Sequence, residues 1–286
     1  MKDDLLQRIE DSIPQFSKSQ KLIADYILHH YEKAAYMTAL KLGNAVNVSE
    51  STVVRFAIEL GFEGYPQLQR SLQEHIKNRL TSLQRMDVTR SRIGDLDPVE
   101  GMLSQDIDKI RRTMDSVDRE SFENAVNTII SAKKIFIQGA MSSGILASFM
   151  HYYLRLVFDK VALVGSVGTS EMYQQMIHIG EGDLLIAMSF PRYAQSTIQA
   201  CKFAHESGAQ IIAITDSESS PLVQFAHTPL YACSDMVSFV DSLVAPMSLI
   251  NALIVAVSGR NRCRVEQTFG KLEQLWENHE VYKKDV

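Results

Sequence analysis

The sequence predicts two parts of different fold class, an all-α domain followed by an α/β domain built on a doubly wound, five-stranded parallel sheet. Three observations lead to this prediction. Apolar residues recur with the helical period of about 3.6 residues through residues 1–80. Five short apolar runs alternate with helical segments in residues 99–286, a pattern typical of parallel strands buried on both faces. Residues 81–98 between them are polar and lack a clear period, so we interpret them as a linker.

The N-terminal domain begins with two predicted amphipathic helices. Residues 3–12 and 18–31 each carry an apolar stripe, and Pro14 separates them. Ser17 or Ser19 is the predicted N-cap of the second helix, because a serine hydroxyl accepts a hydrogen bond from a free backbone N–H of the first turn. The last helix of the domain is predicted to begin at Pro66 and to end at Leu83.

The best-defined helix of this domain lies between Asn47 and Gly61. Ser49 is its predicted N-cap, and Gly61 stands where a helix needs a residue in the left-handed conformation to end. A helix of about three turns is stable only when it is docked, so we expect one face to lie in the core. The residues spaced to form that face are Val53, Phe56, Ala57 and Leu60.

A second helical segment precedes this one. Thr38 is its predicted N-cap, and Gly43 or Ala45 supplies a small residue where the two helices cross. Two helices joined by a turn of three or four residues form a helix-turn-helix, whose second helix can enter the major groove of DNA. A helical hairpin within an ordinary core is the alternative, but short hydroxyl side chains and the outward Arg55 favour DNA. The predicted DNA-contacting residues are Ser49, Glu50, Ser51, Thr52, Val54 and Arg55.

This segment also resembles a known family. Residues 48–68 read Val-Ser-Glu-Ser-Thr-Val-Val-Arg-Phe-Ala-Ile-Glu-Leu-Gly-Phe-Glu-Gly-Tyr-Pro-Gln-Leu. They closely resemble the recognition segment of the RpiR family of bacterial transcriptional regulators. The resemblance covers nearly the whole chain and is most specific in this segment. It implies that the partner is double-stranded operator DNA.

Short runs bounded by Gly, Ser or Asp predict the elements of the C-terminal domain. The predicted strands are residues 135–139, 161–165, 184–189, 211–215 and 230–233. The predicted helices are residues 99–114, 119–132, 142–158, 169–179, 194–207, 221–226, 241–257 and 266–277. The helix at 241–257 is apolar on nearly every side, so we expect the domain itself or a second subunit to cover it.

Composition narrows the class of protein. The chain of 286 residues, 45% hydrophobic, is long enough for two cores. It has no run of 18 uncharged apolar residues and no apolar N-terminal signal region, so we expect a cytoplasmic protein without a membrane partner. Three widely spaced cysteines and the lack of paired histidine spacing argue against disulfides and a metal site, and we expect no cofactor. The net charge is −5, so attraction to phosphates requires a local basic patch, present twice in a dimer.

Three turns that carry hydroxyl groups follow predicted strands, at residues 139–144, 189–197 and 215–220. In an open parallel sheet, ligands bind beyond the carboxyl ends of the strands, where the chain reverses its direction across the sheet. Serines that open helices present hydroxyl and backbone N–H groups to an anion. Each turn is therefore a candidate anion site, and simple helix capping is the alternative role for each serine.

The joint placement of these turns resembles the sugar isomerase (SIS) domain, the usual C-terminal partner of the RpiR-type helix-turn-helix. In that family a Gly-x-Gly-x-Ser turn and a Ser-x-Ser-Gly-x-Thr loop hold the phosphate of a phosphosugar. By position, Ser142, Ser143 and Ser189 match that pattern. The chain departs from it at Met141, Pro191, Arg192 and Ala194.

These departures remove two hydroxyls that would face a phosphate and add a guanidinium. Arg192 can bind a phosphate or a carboxylate in a bidentate manner. The alternatives to a phosphosugar ligand are therefore an acidic sugar and an unphosphorylated polyol. Tyr193 can stack on a sugar ring or hydrogen-bond to it, or else pack on the helix surface. Glu171 resembles the carboxylate of true isomerases, but an acid in a first helical turn also serves the helix dipole. The implied ligand-binding residues are Ser142, Ser143, Glu171, Ser189, Arg192 and Tyr193.

We interpret the chain as a DNA-binding transcriptional regulator of sugar metabolism that senses a phosphosugar or a related sugar-type ligand. Operators are read as paired half-sites, so we expect a homodimer or homotetramer. Sensing requires only binding, and no acid is matched to Glu171 and His178, so we predict no catalytic residues. The alternatives are a phosphosugar aldose–ketose isomerase with an accessory helical domain and a helical domain that only mediates assembly.

Overall fold

The computed structural model describes residues 5–76, 97–165, 168–234 and 240–282, and the side chains of 74–76 are outside this description. The chain divides into two compact units between Met102 and Leu103, with Val240 grouped with the first. Most of the predicted linker, 81–98, lies outside the described residues. The boundaries 1–80 and 99–286 therefore stay a prediction.

Short helices form the described regular structure of the first unit. They are α1 (Leu5–Ser12), α2 (Lys18–His29), α3 (Tyr31–Ala34), α4 (Ala39–Ala45), α5 (Glu50–Glu59) and α6 (Tyr65–Ile76), with a 3-10 turn at Ile13–Gln15. Ser17 is the N-cap of α2, and it forms a capping box because the Gln20 side chain accepts from the Ser17 N–H at 2.8 Å. The predicted all-α fold of this part is confirmed.

One hydrophobic core holds these helices together. Its largest fully buried side chains are Ile9, Ile23, Ile27, Leu42, Phe56, Leu68 and Leu72. From α5 the predicted stripe enters this core, with Val53, Phe56 and Ala57 fully buried and Leu60 3% exposed. The helix ends at Gly61, whose φ of +80° is the left-handed conformation expected there. Packing thus stabilises a helix that is too short to persist alone.

The turn between α4 and α5 depends on close approach of two backbone segments. A Cβ atom at Gly43 would lie 2.7 Å from the carbonyl oxygen of Val48, so only glycine fits without displacement. The Gly43 carbonyl accepts a hydrogen bond from the Val48 N–H at 2.9 Å. Asn47 has φ +56°, a conformation that asparagine tolerates better than most residues. Gly43, rather than Ala45, is therefore the small residue at the crossing.

The second unit is built on a five-stranded parallel sheet. The strands are β1 (Ile135–Gly139), β2 (Val161–Val164), β3 (Leu184–Met188), β4 (Gln210–Thr215) and β5 (Thr228–Tyr231). Their order is β2-β1-β3-β4-β5 and every pairing is parallel. All residues of β1 and β3 are buried, as their continuous apolar runs predict. The predicted doubly wound fold is confirmed.

Seven described helices follow residue 97, and several of them cover the two faces of the sheet. They are α7 (Pro98–Ser116), α8 (Arg119–Ser131), α9 (Ser143–Val157), α10 (Thr169–Met176), α11 (Gln195–Glu206), α12 (Val244–Arg260) and α13 (Arg262–Asn278). On one side α10 and α11 pack together over a core that includes Phe136, Leu185 and Ala187. On the other side α9 packs against β1 and α12, and α12 packs against α8.

Several predicted helices differ from the observed ones. The helix predicted at 266–277 begins at Arg262, and the one predicted at 169–179 ends at Met176. Residues 221–226 form only a 3-10 turn, Val223–Phe225, because so short a connection leaves no room for a nucleated helix. The helix predicted at 241–257 begins at Val244 instead. Its predicted first residues, Asp241 and Ser242, have side chains engaged in hydrogen bonds to Ser142 and to Asp106, respectively.

None of the helices in the described ranges combines the length and the apolar character needed to cross a bilayer.

Candidate functional site

The N-terminus of α5 carries a cluster of hydroxyl groups. Ser49 is its N-cap and accepts a hydrogen bond from the Thr52 N–H at 3.3 Å. The Ser49 hydroxyl also lies 2.9 Å from that of Ser51 and 2.8 Å from that of Thr52. Arg55 Nε donates to the Ser51 carbonyl at 3.3 Å. Free backbone N–H groups and hydroxyls at a helix start suit contacts with a phosphate.

The predicted DNA-contacting residues fall into two groups by exposure. Ser49, Glu50, Ser51 and Arg55 are exposed on the outward face of α5. Thr52 and Val54 are half-buried, and Val54 packs against the core of the first unit. The exposed side chains can reach a groove, whereas the half-buried pair is closer to the body of the unit.

At the other end of the chain, two hydroxyl-bearing turns meet at the strand tips. β1 pairs with β3, so Gly139 lies beside Met188, and the turns that follow these residues are neighbours. The chain leaves β1 toward β2 on one side of it and returns to β3 on the other. This reversal is the topological switch point, where ligands bind in open α/β sheets.

The turn after β1 places one predicted serine in an unexpected hydrogen bond. Ser142 Oγ donates to Asp241 Oδ2 at 2.6 Å and makes no side-chain cap bond to α9. Ser143, at the start of α9, is 5% exposed. A Cβ atom at Gly139 would lie 2.5 Å from the Ser143 carbonyl oxygen, so the close turn requires glycine. The capping alternative therefore does not describe Ser142.

The turn after β3 is held by a network of hydroxyl groups. Ser189 Oγ accepts from the Ala194 N–H at 3.2 Å, and the Ser189 carbonyl accepts from Thr215 Oγ1 at 2.7 Å. Thr215 Oγ1 also lies 2.8 Å from the hydroxyl of Ser220. Ser189, Thr215 and Ser220 are all buried. These bonds join the tips of β3 and β4 into one rigid edge.

Tyr193 does not present a free hydroxyl to a ligand. Its hydroxyl donates to Asp216 Oδ1 at 2.7 Å, next to the tip of β4. Burial, and then the Asp216 carboxylate, raise the pKa of Tyr193 well above its ordinary value. The tyrosine therefore stays protonated and acts as a donor at neutral pH. The structure thus adds two carboxylates, Asp216 and Asp241, to the strand-tip edge.

Two departures from the family pattern occupy strained backbone positions. Met141 has φ +54° and Arg192 has φ +66°, the left-handed region that favours glycine. Both stand where the family pattern has glycine, so the turn geometry is kept while the side chains differ. The Met141 side chain is 84% exposed, and Arg192 is also exposed. Bulky groups therefore stand at both turns.

Glu171 and His178 are not joined with the serine turns by any hydrogen bond among the described residues. Glu171 is exposed in the first turn of α10 and accepts from Gln175 Nε2 at 3.2 Å. Gln175 Oε1 accepts from the Gly165 N–H at 2.7 Å. This arrangement matches the helix-terminus role of Glu171 better than that of a base.

Sequence reasoning missed one buried polar residue near the tips. Gln138, the penultimate residue of β1, is fully buried, and neither its amide nitrogen nor its amide oxygen has a partner in the described chain. Thr197 on α11 is also fully buried with an unpartnered hydroxyl. Gln138 is flanked in the sheet by Val164 and Ala187. A glutamine within an otherwise apolar strand run is the sequence signal that could have identified Gln138.

Two family models match the chain. Residues 3–79 match the helix-turn-helix domain of the rpiR family, and residues 128–256 match the SIS domain. The chain belongs to the RpiR family of transcriptional regulators. RpiR-family relatives include HexR of Escherichia coli, 25% identical over 228 residues that span 78% of this chain and 75% of HexR. HexR of Pseudomonas aeruginosa is 23% identical over 265 residues, 90% of each chain.

Solved structures agree with the RpiR-family fold. The sugar isomerase domain of an RpiR transcription factor from Sphaerobacter thermophilus has a TM-score of 0.59 at 25% identity, covering 62% of this chain and 98% of that one. The Vibrio vulnificus NanR protein complexed with ManNAc-6P has a TM-score of 0.58 at 22% identity, covering 95% and 98%. This RpiR-family chain is therefore a transcriptional regulator with a helix-turn-helix and a SIS domain.

Among the described residues no group of three His, Cys, Asp or Glu side chains is placed to hold a metal ion. Cys201 is buried, and burial raises the pKa of its thiol to about 12.

Proposed function

We propose that this regulator binds operator DNA through the outward face of α5 and senses a sugar-type effector at the tips of β1 and β3. The observation that carries the proposal is the pairing of two hydroxyl-bearing turns at the topological switch point. The exposed Ser49, Glu50, Ser51 and Arg55 support the DNA-binding part, with Thr52 and Val54 at its edge. Residues 1–80 would form the reading domain and residues 99–286 the sensing domain.

The effector we propose is a phosphosugar or a related sugar. The ManNAc-6P complex of the relative NanR supports a sugar phosphate, and Arg192 is suited to an anionic group. Ser142, Ser143 and Ser189 supply hydroxyls near the same edge, and the ring of Tyr193, whose hydroxyl donates to Asp216, lies beside them. Carboxylates of Asp216 and Asp241 accept from sugar hydroxyls and repel a phosphate placed directly beside them. We therefore place any phosphate near Arg192 and the sugar hydroxyls near the carboxylates.

The effector would act by changing how two copies of α5 are presented. A regulator reads paired half-sites, so the separation of its two reading helices sets operator affinity. An effector shifts that equilibrium only if it binds the two geometries with different affinity. We propose a homodimer or homotetramer acting as a binding protein rather than an enzyme, in keeping with the regulators named among its relatives.

The DNA-binding part is tested by titrating the chain against its own upstream DNA. Arg55→Ala should weaken operator binding by about 1–3 kcal/mol if the guanidinium reads a base. Arg155→Ala is the matched control, because Arg155 is an exposed arginine of α9. Equal operator affinity of the Arg55 variant and the wild type would show that Arg55 does not read a base of the operator.

The sensing part is tested by repeating the titration with hexose phosphates, sugar acids and polyols. At least one of these compounds should change the midpoint of the DNA titration for the wild type and raise the melting temperature of the protein. Ser142→Ala should abolish that response and leave DNA binding intact, whereas Ser148→Ala, an exposed serine of α9, should respond normally. Turnover of a hexose phosphate without salt-sensitive DNA binding would instead indicate an isomerase.

A further inference from the structure

From Leu103 on, the helix α7 belongs to the second unit and is attached to it by polar groups. Thr113 Oγ1 accepts from the Cys233 N–H at 2.8 Å, and Asp106 accepts from the Ser242 hydroxyl at 2.7 Å. Lys109 pairs with Asp106 at 3.3 Å. Lys109 is 5% exposed and Thr113 is 6% exposed, so the polar side of α7 faces inward. This arrangement is the reverse of an ordinary surface helix, which buries its apolar stripe.

The apolar side of the same helix faces outward. Its exposed fractions are 58% for Leu103, 49% for Ile107, 36% for Ile110 and 59% for Met114. The spacing of four, three and four residues is the repeat by which helices pair along a seam. Contiguous exposed apolar side chains of this kind mark an interaction surface. We name these four residues the α7 stripe.

A groove adjoins the C-terminal end of the α7 stripe. Its volume is about 240 Å³, and α7, α8 and α12 form its walls. The lining residues are Ile110, Thr113, Met114, Val117, Arg119, Phe122, Ala245, Ser248, Leu249 and Ala252. Most of them are apolar, so the groove suits an aliphatic side chain from outside the subunit.

The α7 stripe is complementary to itself when reversed. An antiparallel copy centred between Asp108 and Lys109 sets Ile107 against Ile110 and Leu103 against Met114, and a two-fold axis repeats both pairs. In that arrangement Leu103 of the other copy would lie beside Met114, at the mouth of the groove.

The charges of α7 favour the same direction. Among its exposed charges, the acids Glu100 and Asp108 lie in the first half, and Arg111 and Arg112, followed by Asp115, lie in the second half. An antiparallel pair sets acidic halves against basic halves, whereas a parallel pair sets like charges together. The Asp108 and Arg111 side chains are 72% and 70% exposed, so both can act across the seam.

We infer that the α7 stripe is the surface on which a second copy of this chain docks, with the two α7 helices antiparallel. The inference goes beyond the proposed function, because it holds whether or not the effector is a sugar. It also assigns the groove an occupant, the Leu103 side chain of the other copy.

The first test measures the mass of the full-length chain by sedimentation at micromolar concentration. The wild type should be a dimer or larger even-numbered assembly, and Ile107→Glu should raise the dissociation constant at least 100-fold. Ile177→Glu is the matched control, because Ile177 is 61% exposed and lies outside the stripe. Unfolding curves establish that both variants fold. A monomeric wild type, or an unchanged assembly of Ile107→Glu, would overturn the inference.

The second test fixes the direction of the helices by cysteine cross-linking in a Cys263→Ser background, since Cys263 is exposed. Leu103→Cys and Met114→Cys chains with different tags, coexpressed and mildly oxidised, should form a mixed disulfide. Either variant alone should not, because the two copies of one position lie roughly 16 Å apart along antiparallel helices, beyond the reach of a disulfide. Cross-linking of each variant with itself would show a parallel pair and overturn the assignment.

Discussion

Met141 and Arg192 keep a backbone conformation suited to glycine while carrying large side chains. An L-residue in the left-handed region is less stable there by about 1–2 kcal/mol, and such residues persist where the surrounding fold determines the turn. Here the neighbouring bonds of Ser142 and Ser189 hold the turns. The strain therefore lies at the edge where we place the effector.

Met141→Gly should raise the free energy of unfolding of the second unit by about 0.5 kcal/mol. The gain from relieving φ +54° exceeds the greater freedom that glycine brings to the unfolded chain. Urea denaturation followed by circular dichroism measures it. Met141→Ala is the control, because alanine keeps the strain, and an equal gain in that variant would contradict the explanation.

Gln138→Leu should raise the free energy of unfolding by about 1 kcal/mol. The change replaces two unpartnered buried polar atoms with an apolar side chain of similar size. Gln138→Glu should lower it strongly, because it places an acid at a fully buried position. A leucine variant that is less stable than the wild type would contradict this explanation.

At the scale of elements, apolar spacing predicted most of what the structure contains. The buried stripe of α5 and the strands β1 and β3 can be predicted directly from the sequence. A helix buried on one face repeats its apolar residues about every 3.6 positions, and a strand buried on both faces is a continuous apolar run. The start of α12 was misplaced because Asp241 and Ser242 bond to side chains 99 and 136 positions away in sequence. Likewise, the Tyr193–Asp216 bond joins different strand tips, and no local pattern specifies it.

The turn between α4 and α5 offers the sharpest test of an element. Gly43→Val should destabilise the first unit by about 3 kcal/mol or more, because its Cβ would meet the Val48 carbonyl at 2.7 Å and the buried site has no room for the side chain. Gly64→Ala should be nearly neutral, since its Cβ would meet only Pro66, at 3.7 Å. Thermal unfolding of both variants provides the comparison. A Gly43→Val variant as stable as the wild type would show that the turn between α4 and α5 can shift to make room for the side chain.

At the scale of the whole molecule, the strand order explains why only part of the proposed effector site could be predicted from the sequence. The hydroxyl groups after the strands predict three candidate turns, at 139–144, 189–197 and 215–220, but the first two are neighbours only because β1 lies beside β3. The resemblance to the SIS domain, rather than local spacing, predicts that these turns lie together. Asp216 and Asp241 are found only in the structure, because each bonds to a residue of a segment distant in sequence, and the burial of Gln138 is likewise visible only there.

Refolding of the two units should proceed at different speeds. The helical unit joins neighbouring segments, whereas β1 can pair with β3 only after the chain has closed a long loop, since Ile135 pairs with Leu184, 49 residues later. Far-UV circular dichroism should therefore recover before the fluorescence of Trp276, the single tryptophan, which lies in the second unit. Simultaneous recovery of both signals would argue against this order.

A sheet with only parallel neighbours contains no hairpin from which to grow. On the ribosome, the helices of the first unit emerge and can pack before all five strands have been synthesised, so the proposed DNA-contacting face of α5 forms earlier than the proposed effector site.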